Sequence, residues 1–359
     1  MTLVRLKIRH LRNILSLDLA PGRGINVVLG PNASGKSSLL EAIHLLSSGR
    51  SFRTHHLAQV VQREASDMLI SAEVFSEASG TSVLGMEYDM ARGRLRMKAA
   101  GKPVQRLSEL APFLPVVTIH QESHRVFTLG PEFRRSFMDW GVFHVEPHFL
   151  PAWQRYRRAL KQRNSILQQA LSRPEVWDRE LVECGTLMDA YRRRYLEQFM
   201  ARFRELLPIL RIDTTVDLKY RSGWASDTDL ADQLARGLEG DRRSGYTRIG
   251  PHRADIDFVT GGIAVRERLS RGQMKVLVYA LYLAQACTLA EITGRRALIL
   301  MDDLAAELDA HHIEQLIEKI NALGFQSIVT SSDPDFRRHV TPVDHKMFHV
   351  EHGVFTEVI

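Results

Sequence analysis

The stretch GPNASGKS, residues 30 to 37, decides how the rest of this chain is read. It fits G-x-x-x-x-G-K-[ST] at Gly30, Gly35, Lys36 and Ser37. The context is the one a phosphate loop needs. Before it, GINVVLG (24–30) is a short continuous apolar run, as expected of a parallel strand buried on both faces. After it, Leu39, Leu40, Ile43 and Leu46 recur at helical spacing from Lys36 onward. The glycines let backbone N–H groups close around the phosphates of a nucleotide such as ATP. Lys36 reaches the terminal phosphates, and the Ser37 hydroxyl is expected to ligate Mg²⁺. The helix N-terminus adds positive potential. Asn32 and Ser38 belong to the same loop and helix start and join the expected nucleotide-binding set.

Such a loop requires a second carboxylate for its metal ion. The run ALILMDD (297–303) predicts a buried strand that delivers Asp302 and Asp303 at its C-terminal end, where ligands sit in open α/β sheets. Asp302 is the expected Mg²⁺ partner. Asp303 is placed to orient or deprotonate the attacking water, with Lys36 the other catalytic residue. A second phosphate site follows from LSRGQMK (269–275). Ser270 and Gln273 read as a capping box that opens a helix. Gly272 in the first turn costs roughly 1 kcal/mol against alanine, so it implies close approach of another group. A helix N-terminus with a serine hydroxyl is an anion site. Because the loop at 30–37 already forms a complete phosphate cradle, the second site is expected to serve a nucleotide held by another copy of the chain.

The order of these motifs, with AELD at 306–309 after the acids, resembles an ABC-type ATPase head. Together with GPEFRRSFMDWG (130–141), GPHRAD (250–255), LRN (11–13) and EAIHLLSSGRSFR (41–53), it resembles the RecF family of bacterial recombination mediators in particular. The resemblance implies an α/β fold, a P-loop sheet lobe with a second, mainly helical lobe. It implies a cytoplasmic DNA-binding ATPase that dimerises on ATP. Hydrolysis would be slow, DNA-stimulated and would regulate DNA binding. The DNA would be duplex or a single/double-strand junction, bound independently of sequence. The expected setting is recombinational repair, replication restart and the SOS response, with RecR and RecO as partners in loading RecA. By residue, the resemblance assigns Ser270 and Gly272 to the trans γ-phosphate, Asp309 to the dimer seam, Arg12 to the nucleotide's vicinity and Gln121 to the Q-loop. Two positions depart from the pattern: Asp303 stands where transporters have glutamate, and Ser331 stands at the expected switch position where many heads have histidine.

The 359 residues are 44% hydrophobic and 25% charged, with a net charge of +6. Residues 125 to 204 hold 15 Lys and Arg against 9 Asp and Glu, which accounts for the whole excess. A basic segment of this kind fits nucleic acid. Arg155, Arg158 and Lys161 in RYRRALKQR (155–163) are the candidate DNA contacts. Two cysteines give neither a disulfide framework nor a metal pattern, and a reducing compartment is expected. The N-terminus lacks the apolar core of a signal peptide. The longest apolar run, 276–290, falls short of a membrane span and holds Gln285, so no membrane partner is expected. HQESH (120–124) is not a zinc helix, because its glutamate is one place late. The expected lobes are 1–115 with 290–359, and 116–289. The first should begin with an alternating strand at VRLKI (4–8) and carry antiparallel hairpins from 66 to about 100. The second should be helical over 131–206, with two helices paired about the SRPEVW turn, and should hold strands at 212–220 and 254–266. Two rival readings fit less well. A transporter subunit would not need the basic insert. A chromosome-tethering ATPase carries hundreds of heptad residues where this chain has about 230 residues between its two phosphate motifs.

Overall fold

Two sheets flank the helix that follows the phosphate loop. The computed structural model describes residues 1–169, 173–212, 214–341 and 343–358, apart from the Leu107 side chain. The chain divides into two units, the first comprising Met1–Ser123, Pro208–Ile212 and Lys275–Ile359.

In this first unit, one sheet is antiparallel. It contains β1 (Thr2–Leu11), β2 (Ile14–Leu19), β4 (Asp67–Ser76), β5 (Gly80–Asp89), β6 (Arg94–Ala99) and β7 (Lys102–Val104), in the order β2-β1-β4-β5-β6-β7. The other sheet contains β3 (Ile25–Leu29), β8 (Val116–Ile119), β12 (Leu298–Met301), β13 (Ser327–Ser331), β14 (His345–Glu351) and β15 (Val354–Val358). Its order is β15-β14-β3-β13-β12-β8, parallel except for the β14–β15 hairpin. Helix α1 (Lys36–Ser48) lies between the sheets. Its Leu39, Leu40, Ile43 and Leu46 join one core with Leu6 and Ile8 of β1, Ile70 and Val74 of β4, and Leu300 and Ile328 of the parallel sheet. Each such side chain contributes about 1.5–3 kcal/mol on full burial. Buried Gln326 ties the sheets together: its Oε1 accepts from Leu3 N (2.7 Å) and its Nε2 donates to Leu3 O (2.9 Å).

The second unit comprises His124–Leu207 and Asp213–Met274. Its helices are α2 (Arg125–Thr128), α3 (Pro131–Val145), α4 (Phe149–Gln168), α5 (Asp178–Ile209, whose end falls in the first unit), α6 (Leu230–Ser244) and α7 (Val265–Arg268). A small antiparallel sheet, β11-β10-β9, contains β9 (Asp217–Arg221), β10 (Asp255–Thr260) and β11 (Ile263–Ala264). Helices α4 and α5 pack antiparallel: Arg155 bonds Glu180 and Glu183, whereas Arg163, two turns later, bonds Asp178. Of the turn expected between them, Ser172 lies outside the described residues, as does residue 213 within the expected strand 212–220.

Helix α8 (Arg271–Thr293) crosses from the second unit into the first, which also holds α9 (Leu304–Glu307) and α10 (Ala310–Ala322). Among the described residues α8 is long and apolar enough to span a bilayer, but most of its apolar stretch is buried within the chain, as in a core helix. The expected lobe boundaries shift accordingly. The prolines at 112–115 introduce a strand of the parallel sheet, since Leu298 N donates to Pro115 O (2.9 Å) and β8 pairs with β12. Most of α8 lies with that sheet as well.

Candidate nucleotide site

Strands β3, β8, β12 and β13 end on one side of the parallel sheet, and a cleft of about 820 Å³ opens there within the first unit. Its lining includes Asn32, Gly35, Lys36, Ser37, Asp302 and Asp303. The loop is shaped by backbone constraints. Gly35 has φ +124°, a conformation that L residues with side chains rarely adopt, and it leads directly into α1. A Cβ on Gly30 would run into the carbonyl and side chain of Val350. The loop is further held by Gly353 N donating to Ser34 O (2.7 Å) and by Asn13 Nδ2 donating to Ala33 O (3.2 Å).

Lys36 donates to the carbonyls of Gly30 (2.7 Å) and Pro31 (2.9 Å). Burial lowers its pKa, while Asp303 and then Asp302 oppose the shift. Ser37 Oγ donates to Asp302 Oδ1 at 2.9 Å, so the two expected metal ligands already touch. One hydroxyl and one carboxylate suit Mg²⁺, which keeps several waters and takes few protein oxygens. Thr330 Oγ1 donates to the same Asp302 oxygen (2.8 Å) and accepts from Asp303 N (2.8 Å). Asp303 itself sits in the left-handed region, φ +51°. Its Oδ1 accepts from both the amide and the hydroxyl of Ser332, each at 3.1 Å.

The other expected residues fall in different places. Gln121 follows β8 and lines the cleft. Ser38 lines it too, with its hydroxyl donating to Asn13 Oδ1 (3.0 Å). Arg12 lines the cleft but is anchored, donating to both oxygens of fully buried Glu41 (2.9 and 2.8 Å) and to Gln59 O (2.7 Å). Asp309 caps α10, accepting from His312 N (3.0 Å), which lowers its pKa. Ser270 and Gly272 belong to the second unit. The capping box forms there: Gln273 N donates to Ser270 Oγ (3.2 Å), and Ser270 N donates to Gln273 Oε1 (3.0 Å). A Cβ on Gly272 would meet only that hydroxyl, at 3.9 Å, so the turn is open to an outside group.

Ser331 is not the residue that meets Asp303. It is fully buried in β13, and its hydroxyl accepts from Asp333 N (3.1 Å). Strand alternation turns Thr330 and Ser332 toward the acids instead. Motif spacing also gives no warning of Asn13, Phe52, Arg53, His120 and Glu122, all of which line the cleft. The LRN and SGRSFR stretches contain three of them, but nothing in those stretches signals that they meet the phosphate loop.

Of the DNA candidates, Arg155 is already paired, bonding Glu180 through Nε (2.7 Å) and Nη2 (2.9 Å) and Glu183 (3.2 Å). Arg158 and Lys161 line a shallow groove of about 850 Å³ along α4, together with Trp153 and with Arg157, whose guanidinium lies 4.7 Å from the Trp153 ring centre. Arg163, in the same basic run, is fully buried between Asp178 and Asp241. The GPHRAD segment is structural in the second unit. Pro251 O accepts from Arg192 (2.8 Å), His252 Nδ1 meets the Tyr156 hydroxyl (2.7 Å), and Asp255 pairs bidentately with Arg134 (2.7 and 2.9 Å).

Comparison with known proteins identifies the family and the fold. The family described as RecF/RecN/SMC N terminal domain matches residues 2–356. The DNA replication and repair protein RecF of Vibrio cholerae is 36% identical over 99% of this chain and 100% of its own length. That of Pseudomonas paraeruginosa is 40% identical over 98% of this chain and 97% of its own. A solved structure of the recombination mediator protein RecF with ATP, from the RecFOR pathway, superposes with a TM-score of 0.88 at 26% identity, covering 100% of this chain and 98% of that one. An Smc head bound to the C-terminal winged-helix domain of ScpA shares the fold, with a TM-score of 0.62 at 14% identity. The fold is that of an ABC-type ATPase head, and the chain belongs to the RecF family, within the wider group of RecF, RecN and SMC N-terminal domains.

Proposed function

We propose that the chain is a DNA-binding ATPase of recombinational repair, active as an ATP-dependent homodimer. The observation that carries this reading is the convergence of Lys36, Ser37, Asp302 and Asp303 on one cleft. ATP, when bound, would supply the phosphoanhydride, and Mg²⁺ would supply charge neutralisation for phosphoryl transfer. Ser37 and Asp302 would hold the ion. Lys36 would leave the Gly30 and Pro31 carbonyls for the phosphates, and Asp303 would orient the water. Ser270 and Gly272 of a second copy would complete the site. The capping-box hydroxyl and the open turn at Gly272 support that role. The family's RecF–ATP complex in the RecFOR pathway supports ATP as ligand and RecR and RecO as partners; helping them to load RecA belongs to the reading proposed. Hydrolysis is slow and DNA-stimulated in this reading, because Asp303 is one methylene shorter than the usual glutamate. DNA, duplex or a single/double-strand junction, is held through its phosphates by the basic face of α4, and the protein works in the cytoplasm.

Light scattering during gel filtration tests the assembly. ATP should give a dimer, whereas ADP or no nucleotide should give a monomer. Ser270→Arg should bind ATP yet stay monomeric, and a Ser270→Arg protein that dimerises normally would overturn the trans site. Asp303→Asn should bind ATP and trap the dimer; turnover at the wild-type rate would mean that another residue handles the water.

A further inference from the structure

Asp303 is held by more than its own strand. Its backbone has φ +51° and ψ +53° at the junction of β12 and α9, a left-handed conformation that is strained for a residue with a side chain and persists when neighbours impose it. Two neighbours are in place, and both come from the end of β13. The Thr330 hydroxyl, on a fully buried residue, accepts from Asp303 N and donates to Asp302 Oδ1, each at 2.8 Å. It therefore has both a donor and an acceptor role filled, and links the backbone of one acid to the carboxylate of the other. Two residues on, Ser332 donates its amide and hydroxyl to Asp303 Oδ1. With Oδ1 occupied by two donors, Oδ2 is the oxygen left to accept a proton or orient a water in the cleft that Asp303 lines.

We propose that Thr330 and Ser332 form a hydroxyl pair that positions Asp303, Thr330 fixing its backbone and Ser332 fixing the rotation of its carboxylate. This inference rests on the reading of Asp303 as the water-orienting residue. Neither hydroxyl is a catalytic residue: Ser332 acts through Asp303 alone, and Thr330 acts through Asp303 and through its bond to Asp302. Removing either should let the carboxylate sample orientations that do not face the water, which lowers turnover without weakening the nucleotide's hold on the phosphate loop.

The test measures steady-state ATP turnover and, separately, the affinity for a fluorescent ATP analogue by equilibrium titration. Ser332→Ala removes an exposed hydroxyl and leaves the amide bond in place, so kcat should fall about 3-fold with affinity unchanged. Thr330→Val keeps the shape and loses the hydroxyl, and kcat should fall roughly 10-fold or more. The conservative variants Ser332→Thr and Thr330→Ser should restore most of the rate, which a packing defect would not allow. Should Thr330→Val fail to fold by circular dichroism, the exposed Ser332 pair of variants still decides the matter. Unchanged kcat in Ser332→Ala, a loss of affinity matching the loss of kcat, or failure of both conservative variants to rescue would overturn the proposal. Asp303→Asn serves as the separate control. Wild-type turnover in that variant would overturn the reading of Asp303 itself, whereas loss there with no effect in Ser332→Ala would overturn the hydroxyl pair alone.

Discussion

The nucleotide cleft of the first unit and the basic face of α4 in the second are both visible as sequence features, but they carry different kinds of information. The cleft is legible from spacing. Residues 265 positions apart, Ser37 and Asp302, are expected to share one ion, and they lie 2.9 Å apart. The α4 face is legible only as a count of charge, and a count does not say which charges are already used. Arg134, Arg155, Arg163, Arg192, Arg193, Arg202 and Arg204 all belong to the basic stretch, and all are engaged in ion pairs. Motif spacing encodes a geometry, whereas excess charge is divided between the interior and the surface by the fold.

The sharpest way to separate these two uses of charge is to break a buried pair. Arg163 and Asp241 are fully buried and bonded at 2.7 Å, and Asp241 also accepts from Arg248. Asp241→Ala would leave the buried guanidinium with Asp178 as its carboxylate partner and remove the partner at its other end, which should cost about 3 kcal/mol of stability, read as a lower midpoint in urea. A variant as stable as wild type would mean that the interior charges are solvated after all. Next in size, Lys36→Ala should lower ATP affinity by about 2–3 kcal/mol, since it removes a charged donor to the phosphates, while leaving the urea midpoint of the second unit in place. Titration with a fluorescent ATP analogue reads the first effect and denaturation the second.

Acid should affect both units through a buried neutral imidazole. His44 in the first unit and His252 in the second are each pulled down to about 4, chiefly by burial. Because the folded pKa lies below the unfolded value near 6.5, each contributes stability that is present above pH 6.5 and lost as pH falls toward 4. His252→Gln should flatten the acid limb of the stability profile, and an unchanged limb would exclude His252 as a cause.

The smallest effects should come from the exposed cations. Replacing Arg157, Arg158 and Lys161 together should flatten the log–log dependence of DNA affinity on salt by about 0.9 for each phosphate that is no longer neutralised, equally on two unrelated duplexes. Arg155→Ala should leave the slope nearly unchanged, because that guanidinium already faces two glutamates. A slope that responds to Arg155 and not to the other three would move the DNA site to the α4–α5 seam.

The parallel sheet, the phosphate loop, both acids and the capping box at Ser270 are readable from the chain because each depends on a local pattern. The segments that escape such reading lack one. Helix α6 is highly charged, and Gly237 and Gly240 interrupt the leucine pattern of Leu230, Leu234 and Leu238 in its second half. Strand β14 interleaves His345, Lys346 and His349 with its apolar residues yet pairs with β3 in the centre of the sheet. Ser332 escapes for a different reason: the choice between it and Ser331 depends on where β13 ends and on the alternation of its faces, a difference of one residue. Arg53 and His120 reach the cleft through tertiary packing that no spacing rule records.

If each nucleotide site is completed by a second copy of the chain, two variants that are inactive alone should complement each other when mixed. Lys36→Ala lacks the phosphate loop's lysine but retains Ser270. Ser270→Arg lacks the signature serine but retains Lys36. Each alone should show almost no DNA-stimulated ATP turnover. In a mixed dimer, one site would combine the intact loop of Ser270→Arg with the intact signature of Lys36→Ala, and the other would carry both defects. Turnover should therefore reappear on mixing, rising with the mixed-dimer fraction to a maximum near equal amounts. Turnover that stays at the sum of the two separate proteins at every ratio, although light scattering shows that mixed dimers form, would contradict completion in trans.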